Sequence, residues 1–153
     1  MTTRMRKAFS LLEVVVVIGL ASLLSSIAMS RAKPTMELFR YRFVMQQVAG
    51  ELEAMKFRSR NEGRMFIMRI DDAGGMLQVV AVDTGPTQGS RIQRTIWLPE
   101  GLDITKAPEQ LVAPSTGQMP EASIEVEAEA FQRIFRLTTH PTGLIELRED
   151  LST

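Results

Sequence analysis

The sequence predicts an α+β protein: one long N-terminal helix, its first half membrane-spanning, packed through its second half on an antiparallel β-sheet domain. Three observations carry this reading. Leu11 to Met29 is a nineteen-residue apolar run holding one charge, Glu13. Leu38, Tyr41, Met45, Val48, Leu52 and Met55 then recur at spacings of 3, 4, 3, 4 and 3, the stripe of an amphipathic helix. After Gly63 the pattern changes to strand-like alternation. At 153 residues, 44% apolar and 24% charged, the chain has enough length for one real core. That composition excludes a disordered tail and a multi-span membrane protein.

As a helix, Leu11–Met29 spans roughly 28 Å at about 1.5 Å per residue, close to the thickness of a bilayer's hydrocarbon core. Val14 to Val17 are β-branched, but in lipid a helix is the only single segment that satisfies its own backbone. Three readings suit this segment on its residues alone. One is a secretory signal peptide, with Arg4, Arg6 and Lys7 as n-region and Ala28-Met29-Ser30 as cleavage site. The second is an ordinary anchor helix. The third gives Glu13 a purpose, because a carboxylate in a membrane helix costs about 2.5–3.5 kcal/mol and marks a functional position that needs a partner.

The stretch Lys7-Ala8-Phe9-Ser10-Leu11-Leu12-Glu13 resembles the class III signal of type IV pilins and type II secretion pseudopilins. In that family a short basic leader ends in a small residue, normally glycine, where this chain has Ala8. The resemblance implies a leader over residues 1–8, removed by a prepilin peptidase/methyltransferase between Ala8 and Phe9, with Phe9 N-methylated. It also implies an assembly helix over 9–30. Its physical sense is clear. The new α-amino group at the end of an apolar helix needs a counter-ion, and Glu13 of a neighbouring subunit supplies one, setting the axial register of a fibre. Charge alone does not orient the segment, since Arg31, Lys33, Arg40 and Arg42 flank its other end. The resemblance implies a single-pass protein of the bacterial inner membrane, with the N-terminus in the cytoplasm and the C-terminal part in the periplasm.

Residues 31–63 read as the periplasmic half of the helix. Pro34 predicts a kink or brief break at Lys33–Pro34, with Thr35 capping the next stretch. Arg40, Gln47, Glu51, Arg58 and Glu62 read as the solvated face opposite the stripe. Phe39 and Phe43, outside the stripe, suit packing against neighbouring subunits. Asn61-Glu62-Gly63 supplies the stop, with Gly63 in the left-handed position.

Residues 64–153 read as a β-rich globular domain. Met65–Ile70 and Met76–Val82 are strands joined by Asp71 to Gly75, and Asp83 to Ser90 is a loop. Thr95–Leu98 and Leu102–Thr105 flank Pro99-Glu100-Gly101 as short strands. Ala107 to Pro120 holds three prolines and a glycine and reads as an irregular loop. Ile124–Ala128, Ile134–Thr138 and Leu144–Arg148 complete the sheet laid on the stripe, the last two joined by His140-Pro141-Thr142-Gly143. This order, with its Leu-Pro-x-Gly element at Leu98–Gly101 and its Thr-Gly closing hairpin, is similar to the GspH/FimT group. Those are the H-type minor pseudopilins of type II secretion and related minor pilins of type IV pili.

Lys plus Arg and Asp plus Glu both total 18, yet the neutral sum hides an asymmetry. Residues 31–70 hold nine basic side chains against four acidic ones, and residues 71–153 hold six against thirteen. Lys56, Arg58, Arg60, Arg64 and Arg69 form the strongest basic cluster. It suits docking of an adjacent subunit's acidic surface, or DNA phosphates. No aromatic is clearly interleaved for base stacking, which favours the first.

Nothing points to an enzyme or a cofactor. The chain has no G-x-S-x-G, P-loop, H-E-x-x-H or G-x-G-x-x-G motif. It has no cysteine, and its single histidine, His140, which excludes a multi-His metal site within one chain, reads as a solvent-exposed turn residue rather than a catalytic one. Glu125, Glu127 and Glu129 alternate along one strand face, a solvated or edge-protecting arrangement. The resemblance implies a structural subunit of a type II secretion pseudopilus, acting in assembly initiation or at the tip and partnered by other pseudopilins. The runner-up is a type IV minor pilin serving DNA uptake or twitching. The third reading is a periplasmic globular protein released by an ordinary signal peptidase.

Overall fold

The computed structural model describes residues 10–71, 75–82 and 90–152. One helix, α1, runs from Leu11 to Glu62, and the chain divides between Phe39 and Arg40 into two compact units. In the first unit every described residue up to Met36 is exposed. The apolar run passes the length and composition test for a membrane-crossing helix. Its serines are satisfied locally: Ser22 Oγ donates to the Ile18 carbonyl at 2.8 Å and Ser30 Oγ to that of Ile27 at 2.9 Å. Such hydroxyls add no unsatisfied donor to an apolar surround. The break expected at Pro34, with Thr35 as a new cap, does not occur, and both residues lie inside the continuous helix. A proline removes one donor from the ladder, and helix formers such as Ala28, Met29, Glu37 and Leu38 carry it on both sides.

In the second unit the stripe goes where its spacing directs it. Met45, Val48, Leu52 and Met55 are 0–1% exposed, Tyr41 is buried and Leu38, across the unit boundary in sequence, is half-buried. The helix stops at Glu62, and Gly63 takes a φ of 64°, a conformation that glycine adopts without a Cβ penalty. Strands β1 (Met65–Asp71), β2 (Met76–Val82), β3 (Ser90–Trp97), β4 (Asp103–Lys106), β5 (Gln110–Ala113), β6 (Ala122–Ala128), β7 (Arg133–Thr139) and β8 (Ile145–Leu151) follow. A single 3-10 turn, Glu129–Phe131, separates β6 from β7. Residues 72–74 and 83–89, which fall in two expected connections, lie outside the described residues.

The strands form two antiparallel sheets rather than the single sheet expected, ordered β3-β2-β1-β5 and β4-β6-β7-β8. The 107–120 segment is also not wholly irregular. Its Gln110–Ala113 stretch pairs with Phe66–Arg69 of β1. Four residues are too few to show a period, and the free edge of β1 supplies the hydrogen bonds that make them a strand. Strand alternation builds the rest of the core: Ile124, Val126 and Ala128 of β6 and Phe135, Leu137 and Thr139 of β7 are all buried. The Leu98–Gly101 element has a packing reason. Tyr41 Oη donates to the Glu100 carbonyl at 3.0 Å, and a Cβ on Gly101, whose φ is 88°, would lie 2.5 Å from that hydroxyl oxygen. Tyr41 also meets Phe131 edge-on at 5.6 Å between ring centroids.

Candidate functional site

The functional residues expected from the sequence fall in three places. Ala8 and Phe9, the expected cleavage and methylation positions, lie outside the described residues. Glu13 sits in the first turn of α1, exposed, with no ion-pair or hydrogen-bond partner among the described residues. An acid there complements the positive end of the helix dipole. Phe39 and Phe43 are 62% and 67% exposed.

The basic cluster does not form one patch. Arg58 Nη1 lies 3.5 Å from Glu51 Oε1, so its charge is engaged within the domain. Lys56 Nζ donates to the Gly143 carbonyl at 2.6 Å and stands 3.4 Å from Glu53 Oε2. Arg64 has a partner of its own, and Arg69 lines a separate cleft with Asp71 and Glu109. Arg60 alone of the five is exposed, clear of that second cleft, and without a partner among the described residues.

Lys56 and Arg60 share a cleft of about 680 Å³ with Glu53 and Phe57 of α1 and with the turns around Gly117 and Gly143. Phe57 is 67% exposed, so an aromatic is interleaved with the cations after all. It was legible as Lys56-Phe57-Arg58, but only the cleft separates it from ordinary surface.

Glu51, expected on the solvated face, is 3% exposed. Arg94 Nη1 of β3 donates to its Oε2 at 2.8 Å, while its Oε1 has the Arg58 ion pair without a hydrogen bond. Strand alternation makes this reach work: Arg94 lies two residues from the buried Ile96 and pairs with the buried Val79. The register shifts only beyond it, where Val80 pairs with Ile92 and Gln93 is an extra residue. On the other flank of the helix, Arg42 grips Glu149 of β8 in a bidentate fork at 2.7 and 2.9 Å. Those hydrogen bonds hold the Glu149 carboxyl below its usual range, with burial opposing and the charges of Arg42 and Arg133 assisting. The same bonds raise Arg42. Nothing local in the sequence announces either pair, whose members are 43 and 107 positions apart.

Two other expectations need correction. β6 is an inner strand, so its acids protect no edge: Glu125 pairs with Arg136 at 3.0 Å and Glu127 accepts from Ser152 Oγ at 2.7 Å, while Glu129 has left the strand. His140 is half-buried rather than solvated, with Nε2 3.5 Å from Glu146 Oε2. Hydrogen bonds from Arg148 are the main cause holding Glu146 below its usual range. Among the described residues no three His, Asp or Glu side chains gather as a metal site would require.

An α1 helix whose second half is clamped by two small antiparallel sheets, while its apolar first part stays uncovered, defines a pilin-like fold of the minor pseudopilin type. Two solved structures share it. The minor pseudopilin EpsH of the Vibrio cholerae type 2 secretion system matches with a TM-score of 0.60 at 18% identity, over 71% of this chain and 95% of that one. The type IV minor pilin FimU of Pseudomonas aeruginosa matches with a TM-score of 0.58 at 15% identity, over 73% and 90%. Both are pilin subunits, not enzymes. No family model and no curated protein matches the sequence.

Proposed function

We propose that this chain is a structural minor pilin-like subunit of a type II secretion pseudopilus, acting in assembly initiation or at the tip. It is made as a single-pass precursor in the bacterial inner membrane, its C-terminal domain in the periplasm. A prepilin peptidase/methyltransferase cuts between Ala8 and Phe9 and methylates Phe9. The observation that carries this reading is the pairing of two features on one helix. Leu11 to Met29 is apolar and exposed, its Glu13 has no partner among the described residues, and the same helix continues into a domain with the EpsH fold. A helix apolar on all sides needs lipid or other helices around it, and a fibre of such subunits supplies the second once the first is left behind.

The intact mass of the mature chain tests it. The expected product lacks residues 1–8 and carries one extra methyl group, on Phe9. A mature N-terminus at Arg31 supports the ordinary signal peptide instead and removes the pilin reading. The nearly equal likeness to FimU supports a second reading, a minor pilin of a type IV pilus. Deleting the gene separates the two: loss of protein secretion with pili intact favours the pseudopilus, and loss of twitching or DNA uptake favours the pilus. A DNA-binding role is less well supported, because Arg58 is paired with Glu51 inside the domain and Arg69 lies in a separate cleft.

A further inference from the structure

The cleft beside Lys56 and Arg60 is walled by two turns of the same make. In Pro114-Ser115-Thr116-Gly117 the Gly117 N–H donates to the Pro114 carbonyl at 2.8 Å, and in His140-Pro141-Thr142-Gly143 the Gly143 N–H donates to the His140 carbonyl at 2.8 Å. Both end in Thr-Gly, with glycine φ values of 76° and 84°. Each glycine brings its turn onto the helix at the cations. A Cβ on Gly117 would stand 3.0 Å from Arg60 Cβ and 3.3 Å from the Lys56 carbonyl oxygen, and one on Gly143 would stand 3.6 Å from Lys56 Nζ. The walls therefore close to backbone distance on Lys56 and Arg60, neighbours one helical turn apart. Thr116 and Thr142 line the walls, and Phe57 and Pro141 give it an apolar side.

We propose that this cleft binds an acidic peptide segment of an adjoining fibre subunit, a carboxylate seated between Lys56 and Arg60 and an adjacent apolar side chain laid on Phe57. The proposal rests on the fibre reading for its partner, while the site itself rests on the cleft. Three features select a carboxylate of a peptide over a nucleic acid. Arg60 is unpartnered among the described residues and Lys56 Nζ has only the long 3.4 Å contact to Glu53 as a counter-charge beside its bond to the Gly143 carbonyl, so the charge on offer suits a single anion. Glu53 lies in the same cleft and would repel a chain that brings a phosphate at every step. Arg58 is engaged by Glu51 and Arg69 lies in a separate cleft, so neither extends the charge of this cleft into a track. The cleft volume of about 680 Å³ accommodates a few residues of chain.

The test uses the full-length chain in detergent micelles and fluorescence anisotropy with three probes: a short peptide of alternating Glu and Leu, its Gln/Leu counterpart, and a single-stranded DNA oligonucleotide. The expected result is saturable, salt-sensitive binding of the acidic peptide, with the Gln peptide at least about tenfold weaker. Arg60→Glu should weaken the acidic peptide by about tenfold or more while leaving the thermal transition in place, since Arg60 is exposed and makes no pair among the described residues. Glu53→Gln should tighten binding by removing the like charge. No saturable binding of the acidic peptide, equal binding of the Gln peptide, indifference to Arg60→Glu, or tighter binding of the oligonucleotide each overturns the proposal. The mass of the mature N-terminus is read separately, so loss of the fibre reading and loss of the cleft are told apart.

Discussion

Two glutamates on one helix have opposite circumstances. Glu13 lies in a stretch that is apolar on every side and entirely exposed, and it has no partner among the described residues. Glu51 lies in the half of α1 that turns one stripe inward, is 3% exposed and has Arg94 and Arg58 at 2.8 and 3.5 Å. The hydrogen-bonded backbone is the same in both halves. What differs is where each half finds an environment for its side chains. The second half finds it inside its own domain, among two sheets and their arginines. The described residues of the first half find none within their unit, and on the proposed function lipid and then neighbouring subunits supply it from outside.

The widest separation of the two halves comes from Glu13→Ala. This variant should insert and be processed normally yet be lost from fibres, with no change in the thermal stability of the globular domain. Immunoblotting of sheared fibres against membrane fractions checks it, and normal incorporation would sink the charge-pairing argument. Arg94→Ala should do the reverse. It leaves a buried carboxylate with only the longer Arg58 contact, at a cost of about 2 kcal/mol after allowing for the half-exposure of Arg94. That lowers the melting temperature by roughly 5–10 °C, with membrane insertion unaffected.

A smaller effect is expected on acidification. The folded-state pKa of Glu149 is depressed, so its fork with Arg42 stabilises the domain fully above the ordinary glutamate value of about 4.3 and loses that contribution as pH falls through the lower folded value. Melts at a series of acidic pH values should show Glu149→Gln less stable than the natural chain near neutrality and converging with it below that window. Parallel curves throughout would rule out the linkage. The least change comes from Gly50→Ala. Gly50 is an exposed helical glycine with open space around its Cβ position. Alanine there should stabilise the second half by about 0.5–1 kcal/mol, measured as a rise in melting temperature.

Much of this was legible in the chain because it depends on near neighbours. The stripe from Leu38 to Met55 could be read from helical spacing, the Gly63 stop from its residue type, and the hairpins from alternation interrupted by turn residues. The misreadings share a cause. Pro34 looked like a break because a local rule weighs one lost hydrogen bond and not the helix formers on either side. Glu51 looked solvated because charged residues usually are, and the partner that makes its burial tolerable lies 43 positions away on β3. Gln110–Ala113 looked like loop because its strand character comes from the edge of β1.

The apolar run from Leu11 to Met29, the stripe and the change to alternation specified a helix with two kinds of surface followed by a β domain, since periodicity and side-chain solvation are properties of short windows of sequence. The division of the strands into two sheets, the arginine clamps on either flank of α1 and the convergence of two Thr-Gly turns on Lys56 and Arg60 are contacts between distant segments. Their geometry exists only after the backbone has closed, so no window of residues contains it.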